Sequence, residues 1–380
     1  MNKIILIPDS FKGTMSSIQA CEQMRAAVLA VLPNAEVISI PIADGGEGSV
    51  DALLAALGGE KRIIRVQGPN FREIDTFYGL LDEGRTAVIE TAACAGLPLA
   101  GAFSNPSLTT TYGVGQIISH AVQNECRRVI LGLGGSATND GGAGMAAALG
   151  ARFINSGGEA FVPVGGTLRE ISRIDISELT RRIDGIEFIA MCDVDNPLLG
   201  ENGAARVFSP QKGASPGMVE ELELNLAHLS QRIRRDLGVS TASTPCSGAA
   251  GGMGAGAAAF LKATLRMGIE TMLDAVGFES IIKGADLVLS GEGRFDAQSL
   301  RGKAVIGAAK RAKAAGVPLF AVVGDIGSEI DAAYDMGVTG VFSINRTAIP
   351  FREAKKRAKS DLRLTVENLM RVYKALKQDL

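Results

Sequence analysis

Apolar runs of four to six residues recur along this chain, and most of them end in polar, glycine-rich turns. They alternate with stretches in which apolar residues return every three or four positions, the spacing of a helix with one buried face. Residues 3–7 read as a strand that runs into Pro8-Asp9-Ser10-Phe11-Lys12-Gly13. Ser16 or Ser17 can then cap a helix whose apolar positions are Ile18, Cys21, Met24, Val28 and Leu32. Residues 36–41 form a second predicted strand, emptying into Ala43-Asp44-Gly45-Gly46-Glu47-Gly48 and a helix through Leu57. In open α/β sheets the C-terminal ends of strands are where ligands bind.

The pattern then changes. Short strands are predicted at 62–66, 75–81 and 86–91, the last two separated by the turn signal Asp82-Glu83-Gly84. A helix at 112–123, a strand at 185–192, a long helix around 216–235 and an alanine-glycine segment at 247–260 follow. From residue 286 the strand–loop–helix rhythm of the N-terminus returns, and the chain closes in a charged amphipathic helix. The expected fold is therefore α/β. A doubly wound domain is built from both ends of the chain, 1–64 and 286–380. A second, mixed α/β domain, 65–285, is inserted in it, with a ligand cleft expected between the two.

Composition narrows the function. Lys+Arg 39 against Asp+Glu 41 leaves a net charge of -2 over 380 residues. That balance gives no electrostatic case for nucleic acid or an anionic membrane. No apolar run approaches the ~20 residues of a spanning helix. The five cysteines (Cys21, Cys94, Cys126, Cys192, Cys246) are scattered without metal-ligand spacing, as reduced core thiols of a cytoplasmic protein would be. Glycine accounts for 47 of the 380 residues, well above the usual ~7%, and it punctuates periodic segments where a linker would run unbroken.

The stretch around which the chemistry gathers is LGLGGSATNDGGAGM, residues 131–145, between a predicted strand and a predicted helix. Its glycines allow sharp turns and close backbone approach to a ligand, and a helix N-terminus adds oriented donors for an anion. A plain strand-to-helix connection would give the same signal, so its weight comes from repetition elsewhere in the chain. Only two histidines, His120 and His228, are present, both within predicted helices. Ser-His-Asp hydrolysis and His-based zinc sites are poorly supported. Gly132-x-Gly134-x-x-Ala137 matches a dinucleotide fingerprint only formally, since no acidic residue ends the next strand, and no Walker A sequence is present. What remains is a set of acidic, glycine-flanked strand ends: Asp9-Ser10, Asp44-Gly45-Gly46-Glu47, Thr138-Asn139-Asp140, Asp193-Val194-Asp195 and Glu292-Gly293-Arg294-Phe295-Asp296. Basic loops at Lys212 and at 299–303 accompany them. Backbone amides and a few cations for phosphates, with carboxylates for Mg²⁺, are what phosphoryl transfer requires.

These stretches resemble the type-1 bacterial glycerate kinases. The resemblance runs through PDSFKG (8–13), IADGGEG (42–48), GGSATNDGGAGM (134–145), DVDNPLLG (193–200), PQKG (210–213), GAAGGMG (248–254) and SGEGRFD (290–296). It implies a flavodoxin-like domain split by an insertion, and ATP-dependent phosphorylation of D-glycerate, usually to 2-phosphoglycerate. Asn70-Phe71 stands where the family's Gly-Pro turn usually ends in Met/Leu-Gly, and Asn139 where Val is common. The resemblance assigns no general base, so individual roles rest on chemistry. Asp193, with Asp296 as its rival, is expected at the acceptor hydroxyl, and Lys12 as a catalytic cation on phosphate or the glycerate carboxylate. Asp9, Ser10, Asp44, Gly45, Gly46, Gly134, Gly135, Ser136, Thr138, Lys212, Gly251, Gly252, Glu292 and Arg294 are expected around substrate and phosphates. Asp193 with Asp195, on one side at period two, and Glu47 are expected at Mg²⁺. The expected partners are small molecules (ATP and D-glycerate), the expected assembly a monomer or homodimer. A kinase for another small hydroxy acid and a non-catalytic sugar-acid sensor are the competing readings.

Overall fold

A computed structural model describes residues 2–43, 45–101 and 104–378 of the chain. The chain divides into two compact units, one of Met1–Asp44, Asp51–Gly58 and Gly268–Leu380, the other of Gly45–Val50 and Gly59–Met267.

The first unit is organised by a five-stranded, all-parallel sheet in the order Glu36–Ser39, Lys3–Pro8, Leu287–Gly291, Leu319–Val323, Val338–Ser343. Numbered along the unit, this is the 2-1-3-4-5 order of doubly wound flavodoxin-like folds. The middle strands are continuous apolar runs because both of their faces are covered. Ile4, Leu6, Leu287 and Leu289 pack with the helices Ser17–Val31 and Phe351–Gln378 in one buried cluster. Ile5, Ile7 and Val288, at the alternate positions, are equally buried. The helix Ala304–Ala314 packs along Leu287–Gly291 and Leu319–Val323. Ser17–Val31 starts where expected, with Ser16 as cap. Gln19 N donates to Ser16 Oγ at 3.2 Å, and Ser16 N donates to Gln19 Oε1 at 3.3 Å, a reciprocal capping box.

The second unit holds a six-stranded mixed sheet in the order Thr264–Met267, Glu187–Cys192, Arg128–Gly132, Thr86–Glu90, Glu73–Leu81, Glu60–Gln67. Its first four strands are parallel and its last two antiparallel. Glu60–Gln67, which a boundary at 64/65 would cut, pairs along its whole length with Glu73–Leu81 and so lies wholly in this unit. The turn Gly68-Pro69-Asn70-Phe71 follows it, with Phe71 at φ 58°. Both histidines are structural here. Tyr78 Oη and His120 Nδ1 lie 3.0 Å apart, and His228 Nε2 is 2.7 Å from Ile171 O. All five cysteines are buried and free. Among the described residues, no helix is long and apolar enough to cross a membrane.

Candidate active site

In the first unit the strand order reverses between Lys3–Pro8 and Leu287–Gly291, and a crevice opens there at the strand ends. Its volume is about 530 Å³. Asp9, Ser10 and Lys12 enter it from the first strand, and Glu292, Arg294 and Asp296 from the second. The six candidates of these two loops are therefore brought together. Asp9 N donates to Gly291 O at 2.8 Å, locking the loops side by side. Asp9 and Glu292 are buried, whereas Arg294 is largely exposed, its Nε 3.2 Å from Asp296 Oδ2. Asp296 Oδ1 also accepts from Gln298 N at 2.9 Å. Lys303, the N-cap of Ala304–Ala314, borders the crevice at the start of that helix. The far wall consists of Ile344 and Asn345 with the helix Phe351–Gln378, which presents Phe351, Ala354, Ala358 and Asp361 from one face. Sequence reasoning passed over this wall. Its one signal was an aspartate, Asp361, set in the buried stripe of an otherwise charged helix; Arg346 holds it at 2.7 Å.

The second unit builds a smaller cavity, about 340 Å³, after strands Arg128–Gly132 and Glu187–Cys192. Gly134, Gly135, Ser136, Asp193 and Lys212 line it, together with Leu97, Phe208, Gln211 and Ala250. Lys212 is only 2% exposed; its Nζ donates to Thr138 O at 2.7 Å and to Ser136 Oγ at 3.0 Å. Burial pulls its ammonium down to about 7, against the opposing charge of Asp140.

The glycine-rich stretch is built differently from the anion cradle its sequence suggested. Asp140 is fully buried and accepts four hydrogen bonds, from Thr111 N (2.7 Å), Thr111 Oγ1 (2.9 Å), Gly142 N (3.0 Å) and Gly144 N (3.2 Å). Its carboxyl is still held above the usual carboxylate range, because burial outweighs those bonds. The start of helix Ala143–Ala148 is therefore capped from within and offers no phosphate site. Gly134 N donates to Gly45 O at 3.0 Å, and a Cβ on Gly134 would stand 2.5 Å from Gly46 Cα. These glycines allow strand-end backbones to touch. Gly251 (φ 68°) and Gly252 (φ 86°) act likewise: a Cβ on Gly251 would lie 1.9 Å from Thr138 O. Neither lines the cavity.

The expected metal set is not assembled. Strand Glu187–Cys192 ends before Asp193, so the period-two alternation that would bring Asp195 beside it does not extend that far. Asp195 and Glu47 are exposed, and neither lines the cavity of Asp193. Asp44 lies outside the described residues. Among the described residues, no three His, Cys, Asp or Glu side chains gather as a metal cluster.

A flavodoxin-like unit with a cation-bearing crevice at its switch point, and a second unit with a buried lysine cavity, define an α/β enzyme that handles anions. The comparisons make this specific. The model of the glycerate kinase family matches residues 4–374. The glycerate kinase of Bacillus cereus is 44% identical over 373 residues, 98% of each chain. The glycerate 2-kinase of Escherichia coli is 41% identical over 343 residues, 90% of each. A crystal structure from Salmonella typhimurium LT2, provisionally named glycerate kinase 2, aligns with TM-score 0.88 and 40% identity over 99% of both chains. The chain belongs to the glycerate kinase family, enzymes that transfer a phosphoryl group to an alcohol.

Proposed function

We propose that this chain transfers the γ-phosphoryl group of ATP to D-glycerate, giving 2-phosphoglycerate. The nucleotide binds in the crevice of the first unit and the acid in the cavity of the second. The observation that carries this reading is the sorting of the candidate residues into two cavities of different size and charge. The larger, about 530 Å³, pairs Lys12, Arg294, Lys303 and a helix start with an apolar wall, which suits a polyphosphate joined to a ring. The smaller, about 340 Å³, holds one buried cation and one carboxylate, which suits a small hydroxy acid. Lys212 binds the acid's carboxylate as a point charge. Asp193 takes the proton of the acceptor hydroxyl, and Asp296, already engaged by Arg294 and Gln298 N, holds the phosphate loop in shape.

Magnesium fits the larger crevice, since it is commonly held by one or two carboxylates plus substrate phosphates. Asp9 and Glu292 would hold it there, where both are buried beside the cationic loops. When bound it neutralises charge on the phosphate oxygens. The test is ADP release across a panel of hydroxy acids, with the product identified by phosphorus NMR. D-glycerate turns over with Mg²⁺ and yields the 2-phosphate. Turnover undiminished by complete chelation removes the metal, and no ADP release with any C3–C6 hydroxy acid removes the kinase reading.

A further inference from the structure

The wall contributed by helix Phe351–Gln378 has no part in the phosphate chemistry above. Phe351, at the helix's first position, is 66% exposed, more than any other aromatic side chain among the described residues. It lines the first unit's crevice together with Ala354 and Ala358 on the same helix face and Ile344 beside them. A phenyl ring next to two methyl-sized side chains makes a flat apolar surface without branches to block a planar ligand. Asn345 borders the same surface and is fixed in place. Its Nδ2 donates to Gly324 O at 2.8 Å and its backbone N to Ser343 Oγ at 3.0 Å, which leaves the side-chain carbonyl oxygen as an acceptor. Lys12, Arg294 and Lys303 lie on the strand-end loops that close the crevice, while the helix adds one cation of its own, Lys355, between Ala354 and Ala358.

We propose that Phe351, Ala354, Ala358 and Ile344 form the platform on which the base of the nucleotide stacks, and that Asn345 Oδ1 accepts a hydrogen bond from the exocyclic amine of adenine. The assignment rests on the nucleotide reading of this crevice. Recognition is then divided: the C-terminal helix reads the base, and the strand-end loops read the phosphates.

Binding of ATP, ITP and inorganic tripolyphosphate to the full chain, measured by calorimetry for F351A, F351W, N345A and K303A, tests this. Phe351→Ala weakens ATP about tenfold, the scale of one base–aromatic stack, and leaves tripolyphosphate unchanged. Phe351→Trp retains ATP affinity. Asn345→Ala weakens ATP but spares ITP, which lacks the amine. Equal weakening of ATP and tripolyphosphate by Phe351→Ala, or no weakening of either, overturns the platform. Lys303→Ala separates the two levels. If Lys303→Ala and Phe351→Ala both leave ATP affinity unchanged, the nucleotide is not in this crevice and both readings fall. If Lys303→Ala weakens ATP while Phe351→Ala does not, only the platform falls.

Discussion

Lys212 carries its charge at a cost that its surroundings only partly offset. Its two hydrogen-bond acceptors are neutral, and Asp140 favours the ammonium less than burial opposes it. The native state therefore holds the proton less tightly than the unfolded chain between about 7 and the ordinary lysine value of 10.5. In that window the unfolded chain binds more protons, so this residue's contribution to stability rises with pH, and its destabilising effect is full below about 7. Lys212→Met is expected to raise the melting temperature at pH 6 by more than at pH 9, and to raise KM for glycerate sharply. In the unsubstituted enzyme, kcat/KM for glycerate should fall as pH rises through about 7, the pH at which the ammonium is lost. A flat profile would remove Lys212 from carboxylate binding. Phe71 illustrates local strain on the surface. It sits at φ 58° in the turn closed by Phe71 N on Gly68 O. Phe71→Gly relieves a left-handed conformation and should gain about 1 kcal/mol in urea unfolding.

At the scale of elements, the stretch 131–145 is a structural knot that presents Leu133, Gly134, Gly135 and Ser136 to a cavity. Asp140 ties residues 111, 142 and 144 together, and Gly251 lets residues 250–252 touch Thr138. Asp140→Asn turns one acceptor oxygen into a donor facing Thr111 N and Gly144 N, so a loss of about 3 kcal/mol is expected in chemical denaturation. Gly251→Ala places a methyl against a carbonyl at positive φ, and a comparable loss is expected. Asp193 differs from both, since it lines the cavity on a loop beyond its strand. Asp193→Asn should keep its melting temperature while kcat falls ~10²–10⁴-fold, the usual worth of a positioned base. Near-normal kcat in Asp193→Asn, with loss in Asp296→Asn, would transfer the role to Asp296.

At the scale of the whole molecule, the two units differ in how their chain is assembled. The second is almost continuous, residues 59–267, and the first joins the chain's two ends. Lys3–Pro8 pairs with Leu287–Gly291, Ile4 opposite Leu287, so the first sheet closes only after a very long loop. Loop closure must precede the reward of such pairing, which slows it. In pulse-labelled hydrogen exchange during refolding, amides of Arg128–Gly132 and Glu187–Cys192 should be protected before those of Lys3–Pro8. Removing residues 351–380 should unfold the first unit, because Phe351–Gln378 covers the sheet face that it shares with Ser17–Val31.

The sequence by itself determined the order and type of most elements. Continuous apolar runs marked the parallel strands, and 3.6-residue periodicity, with a capping serine at 16–17 for the first of them, marked the helices, since both signals are local. It also marked the loops at 9–12, 292–296 and 134–136 as polar strand ends and Lys212 as part of a basic loop, and these loops line the two cavities. The tertiary structure decided what each glycine and carboxylate does. Whether a backbone N–H faces a ligand or a neighbouring carbonyl depends on elements far apart in the chain. That is why Gly251 and Asp140 read as ligand-binding in sequence and are internal contacts in space. Asp195 and Glu47 read as metal ligands because acidic residues cluster in sequence; Asp195 falls beyond the strand that ends at Cys192, and both lie exposed. The crevice wall at Phe351 was invisible for the same reason: an apolar residue opening a charged helix has no meaning until that helix is placed beside the strand ends it closes.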